Sequence, residues 1–588
     1  MHIAVIDFDR CHPKKCNNEC QYYCPQNRIG TQTVVFEEDE YPKIYEELCV
    51  GCGICIHKCP YGAIKILSLP ETLKKDLVHQ YSENGFRIYK LPAIKKGKVI
   101  GLIGQNGVGK TTALNILSGT LIPNFGDFEH PGSWDKVFEH YSGSVYAEYF
   151  KKVSNKKLKV ALKPQYVDNI PKKYQGSVNS LLRDLSEKSN FDALTSSLNL
   201  NNSLNRNIEE LSGGELQSLA IAVTLLKDAD VYFFDEPSSY LDIAQRLNFA
   251  KILKTLAEQK SVYVIEHDLA IIDFLADELH ILYGDEGAYG IVSNLLTARH
   301  GINSYLEGYI REQNMRFRNW SITFSVHPPI SLKNMKSLIS WENLKKEFLD
   351  FKLGVSAGSL ATGQVVGVVG QNMTGKTTFV KMLAGVTEPT EGAIDTTIKV
   401  SYKPQYIKFE EEKIVEELYK EKLNNVMEDN FYRAEIENPL KLKMLMDKPM
   451  GALSGGELQR VAIGLTLAMD AELYLIDEPS AYLDSAERIS VAKIIKRVIE
   501  KNKKTALVVD HDVYFLDLIS DSLLVFSGIP GREGESSGPY SMREGMNLFL
   551  KSVNVTFRRD EESKRPRINK LGSYTDREQK EREEYYYD

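Results

Sequence analysis

The strongest constraint on this chain is a repeat. Gly104-Gln105-Asn106-Gly107-Val108-Gly109-Lys110-Thr111, followed by Thr112, returns 266 residues later as Gly370-Gln371-Asn372-Met373-Thr374-Gly375-Lys376-Thr377, followed by Thr378. Each copy follows an apolar strand (Val99 to Ile103; Val365 to Val369) and opens a helix, the context in which this pattern binds phosphate. Amides at such a helix start hold the phosphates, Lys110 and Lys376 reach the β and γ oxygens, and Thr111 and Thr377 ligate Mg²⁺. The chain has 588 residues, and at about 150 residues per domain it divides into roughly four units. Apolar residues make up 43% and charged residues 26%, which excludes collagen, coiled coil and wholesale disorder. No apolar run approaches the roughly 18 residues a bilayer span needs. Met1 to Asp9 alternates like a strand, unlike a signal h-region, so a soluble, cytoplasmic chain is expected. The net charge of −7 advertises no polyanionic partner.

Further motifs recur in the same order in both halves. They are Pro164-Gln165 and Pro404-Gln405, Leu211-Ser-Gly-Gly-Glu-Leu-Gln217 and Leu453-Ser-Gly-Gly-Glu-Leu-Gln459, and the apolar runs ending in Asp235-Glu236 and Asp477-Glu478, with His267 and His511 closing each series. Each apolar run reads as a buried parallel strand whose Asp235 or Asp477 emerges at the strand end, where it can hold Mg²⁺ through water. A lone histidine is usually an ordinary residue; one that follows a strand and precedes Asp268 or Asp512 in both copies reads as functional. Ser212 and Glu215 form a capping box, and such a helix start preceded by glycine amides is itself an anion site. Across residues 73 to 530 the chain resembles the ATP-binding cassette family. That resemblance implies that Glu236 and Glu478 polarise the attacking water, His267 and His511 contact the γ-phosphate, and Gln165 and Gln405 sense metal and nucleophile. It also implies sites shared between halves: Lys110, Asp235 and Glu236 with Ser454, Gly455, Gly456 and Glu457, and Lys376, Asp477 and Glu478 with Ser212, Gly213, Gly214 and Glu215. Adenine needs a stacking surface upstream of each phosphate loop, for which Tyr81 or Phe86 and Phe348 or Phe351 are the candidates.

All eight cysteines lie between Cys11 and Cys59, and the following 529 residues have none, a dedicated metal module beside a reduced body. Cys49-x2-Cys52-x2-Cys55-x3-Cys59-Pro60 has the spacing that wraps three thiolates around one cubane and sends the fourth to a neighbour. Cys11-x4-Cys16-x3-Cys20-x3-Cys24-Pro25 keeps the terminal Cys-Pro with looser inner spacings, and so resembles a two-cluster bacterial ferredoxin with one altered loop. By that resemblance one [4Fe-4S] cluster takes Cys11, Cys16, Cys20 and Cys59, and the other Cys49, Cys52, Cys55 and Cys24. A pair of zinc sites is the alternative. Cluster ligation does not imply redox activity, since a domain of this size can use bound metal simply to fold.

The halves differ in one insertion. From phosphate-loop glycine to glutamine the first half takes 61 residues and the second 35. Within the surplus, Trp134, Val137, Phe138 and Tyr141 follow helical spacing, Ser142-Gly143-Ser144 interrupts, and Val145, Tyr146, Tyr149, Phe150 and Val153 resume. This predicts a helix-loop-helix hairpin, either packed on its own cassette or, through Lys151, Lys152, Lys156, Lys157 and Lys159, meeting phosphate. The stretch Tyr305 to Arg318 between the halves and the tail with Arg558, Arg559, Lys564, Arg565, Arg567 and Lys570 read as hinges or as a solvated linker and a partly frayed terminus.

As a whole the chain resembles the ribosome-recycling ABC ATPases, the RNase L inhibitor family. The expected fold class is α/β: two P-loop ABC-type nucleotide-binding domains in tandem plus a small ferredoxin-like α+β iron–sulfur domain. The expected divisions are 1–72 for the iron–sulfur domain, 73–300 for the first cassette with its insertion at about 127–155, 301–325 for a hinge, 326–530 for the second cassette, and 531–588 for a second hinge and tail. The resemblance implies two [4Fe-4S] clusters, Mg²⁺ and two ATP per chain. It further implies that cassette closure swings the iron–sulfur domain into the intersubunit space of a ribosome after termination. The insertion and hinges would contact the rRNA and protein of the small subunit, with release factor as neighbour, in a monomeric chain of archaeal or eukaryotic origin. Two other functions remain open from the residues alone: the motor of a membrane transporter, and ATP-coupled electron transfer.

Overall fold

The computed structural model describes residues 1–588 except 37–40, 166, 168–169, 186–190, 325–335, 396–397, 408 and 587–588. The expected boundary at 325–326 and the Tyr587-Asp588 end lie outside the described residues. The amino-terminal region is small and loop-rich. His2–Ile6 pairs antiparallel with Ile64–Ser68, Val34–Phe36 pairs with Pro42–Ile44, and short helices carry the cysteines between them. Its apolar core has few aliphatic members and is completed by cysteines.

The repeat is structural. In the first cassette the strands lie in the order Leu77–Gln80, Arg87–Tyr89, Tyr289–Val292, Glu278–Asp285, Val99–Gly104, Ser261–Ile265, Val231–Asp235, Val160–Lys163. In the second the order is Leu344–Glu347, Lys352–Val355, Glu533–Ser541, Ser522–Ile529, Val365–Gly370, Thr505–Val509, Leu473–Asp477, Val400–Lys403. The phosphate-loop strand is central and parallel to both neighbours, and every residue of it is buried in both halves. This is why these segments read as unbroken apolar runs. The phosphate loops, Asp235, Asp477, His267 and His511 all emerge at the carboxyl ends of these strands, where open α/β sheets bind ligands.

The insertion forms helices Trp134–His140 and Val145–Ser154 on either side of the Ser-Gly-Ser break. It packs on its own cassette: Val137 and Phe150 are fully buried, Phe125 stacks on His140 at 4.1 Å, and the Tyr149 hydroxyl donates to the Leu117 carbonyl at 2.8 Å. Lys151 and Lys152 in its second helix and Lys156, Lys157 and Lys159 after it are all exposed.

The hinge and tail depart from the picture of a linker and a frayed end. Helix Ala298–Glu307 and the short hairpin Tyr309–Ile310 with Met315–Arg316 lead to Ile322 and Phe324, both buried, with Phe324 edge-on to Tyr514 of the second cassette at 5.2 Å. After helix Met542–Ser552, the tail forms a hairpin of Phe557–Arg559 and Pro566–Ile568 and a helix Tyr574–Glu581, and Tyr586 is 1% exposed. Of the tail cations, Arg558, Lys564 and Lys570 are exposed, whereas Arg565 is fully buried. Arg565 and Arg567 bind Asp273, and Arg559 binds Asp517 through two bonds of 2.8 Å. These last three are spent internally and cannot also meet phosphate.

Candidate active sites

Both phosphate loops are built alike. The glycines before the helices, Gly109 and Gly375, sit at φ of 87° and 95°, where a side chain is strained. A Cβ there would stand 2.8 Å from Phe86 Cζ in one half and 3.1 Å from Phe351 Cζ in the other. Lys110 Nζ donates to the carbonyls of Gly104 and Gln105 at 2.9 and 2.7 Å, and Lys376 Nζ to those of Gly370 and Gln371 at 2.9 and 2.6 Å. One position differs: Met373 takes the left-handed conformation, φ 61°, where the first loop has Gly107 at 70°, at a cost of about 1–2 kcal/mol for a non-glycine residue. The four aromatic candidates occupy matching hairpin turns, with rings 6.4 Å apart for Tyr81 and Phe86 and 6.5 Å apart for Phe348 and Phe351. Phe86 and Phe351 pack on the loop glycines, leaving Tyr81 and Phe348, 52% and 49% exposed, as the open ring faces.

The halves meet across the sites. A cavity of about 570 Å³ is lined by Lys110, Thr111, Thr112, Gln165 and Glu236 from one half and by Ser454, Gly455, Gly456 and Glu457 from the other. The Asn106 amide donates to Asp484 Oδ2 at 2.9 Å, and reciprocally the Asn372 amide donates to Asp242 Oδ2 at 3.0 Å. Gly213 and Gly214 abut Tyr240 as Gly455 and Gly456 abut Tyr482. Asn372 Nδ2 donates to the Tyr240 carbonyl at 3.1 Å, which carries the Ser212 helix start to the second phosphate loop. Both helix starts are capping boxes, Ser212 with Glu215 and Ser454 with Glu457. The two tyrosine hydroxyls meet at 2.6 Å between the halves.

At the strand ends Thr111 Oγ1 donates to Asp235 Oδ2 at 2.7 Å; in the second half Thr377 stands beside Asp477, whose two buried carboxylate oxygens have no hydrogen-bond partner among the described residues. Burial, and then the adjacent Glu236 or Glu478, pushes Asp235 and Asp477 up to about 6. Such carboxylates favour a neighbouring cation, so they and the threonines fit Mg²⁺. Glu236 Oε1 accepts from Gln165 Nε2 at 2.7 Å and lies 3.1 Å from His267 Nε2. Glu478 Oε1 accepts from Gln405 Nε2 at 2.8 Å and lies 3.5 Å from His511 Nε2. Burial opposes ionisation of Glu236, but its hydrogen-bond partner His267 and the cations Lys110 and Arg488 hold it below the usual range. Burial, and then Lys110, shifts His267 below its ordinary value against the opposing pull of Glu236.

The eight cysteines form no disulfide. Burial first, then repulsion from Cys59 and Cys16, raises Cys11 to about 11, and burial with Cys59, Cys11 and Cys16 around it raises Cys20 to about 12. Burial also raises Cys49, with Cys52 and Cys24 as neighbours, and takes Cys55 to about 11 beside Cys49, Cys52 and Cys24. The fold therefore gathers the two quartets of the crossed pattern. Amides of Gln21, Gly51 and Ile56 point at Cys20, Cys49 and Cys55, and the Ala63 amide donates to Cys59 Sγ at 3.4 Å, as around protein-bound iron–sulfur clusters.

This domain abuts the first site. Lys65 Nζ donates to Asp285 Oδ1 and the Glu286 carbonyl, both at 2.6 Å, and Asn84 in the Tyr81–Phe86 turn bonds the Ala4 and Ile44 main chain. The sequence motifs include Asn106 and Asn372 but neither Asp242 nor Asp484, and neither Lys163 nor Lys403. Their signal was recurrence: each aspartate follows Asp235 or Asp477 by seven residues, and each lysine precedes Gln165 or Gln405 by two.

Paired phosphate loops, each facing a capped helix start of the other half, define a twin-cassette ABC-type ATPase with a cysteine-rich amino-terminal domain. Family models agree: "ABC transporter" matches residues 92–239 and 355–481, "Possible Fer4-like domain in RNase L inhibitor, RLI" matches 1–32, and "4Fe-4S binding domain" matches 42–65. An uncharacterised ABC transporter ATP-binding protein of Methanocaldococcus jannaschii is 49% identical, covering 100% of this chain and 98% of that protein. Translation initiation factor RLI1 of Saccharomyces cerevisiae is 43% identical, with 100% and 98% covered. In a model of ribosome-bound archaeal Pelota and ABCE1, a chain 50% identical superposes with a TM-score of 0.95, covering 100% of this chain and 99% of that one. The chain belongs to the RNase L inhibitor family, the E family of ABC ATPases.

Proposed function

We propose that this chain is a ribosome-recycling ATPase, in which two ATP molecules close the cassettes and their hydrolysis reopens them. The observation that carries the reading is the reciprocal bond between each phosphate-loop amide and the aspartate of the opposite cassette. Neither cradle is complete without the other half, so nucleotide occupancy and cassette distance are one variable. In each site the loop amides and Lys110 or Lys376 bind phosphate, with Thr112 and Thr378 on the same helix start. Thr111 with Asp235 and Thr377 with Asp477 would hold Mg²⁺, joined by Gln165 and Gln405; the ion would neutralise phosphate charge. Glu236 and Glu478 orient the attacking water, steadied by Gln165 and His267 or by Gln405 and His511. Ser212-Gly213-Gly214 and Ser454-Gly455-Gly456 bind the nucleotide from the far side, and Tyr81 and Phe348 stack on adenine.

Cys11, Cys16, Cys20 and Cys59 would hold one [4Fe-4S] cluster, and Cys24, Cys49, Cys52 and Cys55 the other. Bound there, the clusters supply charge compensation and cross-links that a core this small lacks. The division near residue 72, a monomeric state, a cytoplasmic location and a release factor as neighbour belong to the same reading; the expected divisions at 300 and 530 do not hold, because helix Ala298–Glu307 spans the first and strand Glu533–Ser541 keeps the second cassette's sheet running past the other. Among the described residues no helix is long and apolar enough to cross a membrane. The exposed Lys151, Lys152, Lys156, Lys157 and Lys159 and the exposed Arg311, Arg316 and Arg558 are the contacts assigned to small-subunit RNA. The test is gradient sedimentation with purified small subunits and a non-hydrolysable ATP analogue. Co-migration that depends on the analogue and weakens with salt is expected; a chain that stays at the top of the gradient with analogue present refutes the ribosomal reading.

A further inference from the structure

Lys163 and Lys403 end the edge strands Val160–Lys163 and Val400–Lys403. Their exposures are 0% and 1%, although lysine is among the residues least often buried. Their acceptors are main-chain carbonyls. Lys163 Nζ donates to the carbonyls of Asp235 and Glu236 at 3.0 and 3.3 Å. Lys403 Nζ donates to those of Asp477 and Glu478 at 2.8 and 3.4 Å, and to that of Pro404 at 3.3 Å. The two carbonyls in each half belong to the last residue of the adjacent strand, Val231–Asp235 or Leu473–Asp477, and to the residue that follows it.

What happens at those residues gives the contact its meaning. Glu236 and Glu478 leave their strands at φ of 46° and 48°, a conformation that costs a non-glycine residue about 1–2 kcal/mol and persists only where the surroundings impose it. That turn sends each carboxylate back toward Gln165 and His267, or toward Gln405 and His511. The amide side of the turn is tied to the next strand, Glu236 N to the Ile265 carbonyl at 3.1 Å and Glu478 N to that of Val509 at 2.8 Å. The carbonyl side is tied by the lysine in both halves, joined in the first half by Gln217 Nε2, which donates to the Glu236 carbonyl at 2.8 Å.

We propose that Lys163 and Lys403 are positioning residues for ATP hydrolysis: each buried ammonium pins the two carbonyls that hold the left-handed turn and thereby aims the water-orienting glutamate. This rests on the reading of Glu236 and Glu478 given above. Without the ammonium each turn loses a buried donor on its carbonyl side, with Gln217 still holding the Glu236 carbonyl in the first half, and the turn can relax to a right-handed backbone that carries the carboxylate out of reach of the glutamine. Phosphate binding, which uses Lys110, Lys376 and the loop amides, stays intact.

The test is a mutant cycle on the full chain, reading kcat and KM for ATP. Lys163→Met with Lys403→Met is expected to lower kcat at least about tenfold while KM stays within about twofold. Added to Glu236→Gln with Glu478→Gln, the lysine changes should cause no further loss, because they act through a carboxylate already removed. Unchanged kcat, a parallel rise in KM, or a full additional loss in the glutamine background each overturns the proposal. If the double methionine chain does not fold, Lys163→Met alone and Lys403→Met alone, each read with and without the glutamine change in its own half, carry the same cycle with the same outcomes. Should Glu236→Gln with Glu478→Gln leave turnover untouched, the glutamate reading itself fails, a result separable from failure of the lysine step.

Discussion

At the scale of single residues, the site gathers more buried negative charge than its catalytic groups require. Glu266 and Asp510, each just before its histidine, accept from the amide and hydroxyl of Ser238 and Ser480. Burial, with Asp268 adding to it, raises Glu266 from 4.5 to about 7. The folded chain then binds more protons than the unfolded one between those values, so its stability falls as pH rises across that window and stays low above it. Glu266→Gln keeps the acceptor for the Ser238 amide and removes the titration. The variant should melt at a higher temperature than the parent above pH 7 and at the same temperature at the acid end of the window. A stability gain of equal size at both ends would contradict this. Asp235, Glu236 and His267 were legible from motif and spacing because their chemistry needs fixed residue types. Glu266 was not, because a carboxylate before a histidine signals nothing until burial gives it a charge problem.

Elements show a different division. The insertion's two helices follow from apolar spacing and a Ser-Gly-Ser break, but which surface they cover does not. An aromatic cluster of Trp134, Tyr141, Tyr146 and Tyr149 surrounds Phe150, with ring centroids 5.5–6.4 Å from it. Phe150→Ala should cost about 3–5 kcal/mol locally and loosen the hairpin that displays the lysines. The expected result is weaker sedimentation with small subunits and unchanged ATP hydrolysis by the free chain, since no residue of the hairpin lines the nucleotide cavity. Loss of both activities would place the hairpin inside the catalytic unit. The two adenine-side turns illustrate the same limit: the sequence offered two aromatics in each, and only packing on Gly109 and Gly375 separated the buried ring from the open one.

For the whole molecule, the tail joins the two cassettes through the helices that follow their histidines. Asp273 in Leu269–Leu275 and Asp517 in Val513–Ile519 each lie six residues after His267 or His511. The tail hairpin binds both, Arg565 and Arg567 on the first and Arg559 on the second. Asp517 and Arg559 are 0% and 7% exposed, unlike surface pairs, which are worth about 0–1 kcal/mol. Arg559→Ala should therefore destabilise by about 3–5 kcal/mol by stranding a buried charge, and Arg559→Met with Asp517→Leu should recover most of the loss in a thermal melt. A double variant as unstable as the sum of the singles would show the pair to be independent. The sequence by itself determined the twin phosphate loops, the cysteine-rich amino-terminal module and the fold class, because nucleotide and metal chemistry demand particular residues at short, fixed separations. Only the tertiary structure decided which tail arginines are consumed, which aspartate closes which cradle, and what lies beneath each catalytic glutamate, because those contacts join residues far apart in the chain through burial, and burial leaves no local mark on the residues it unites.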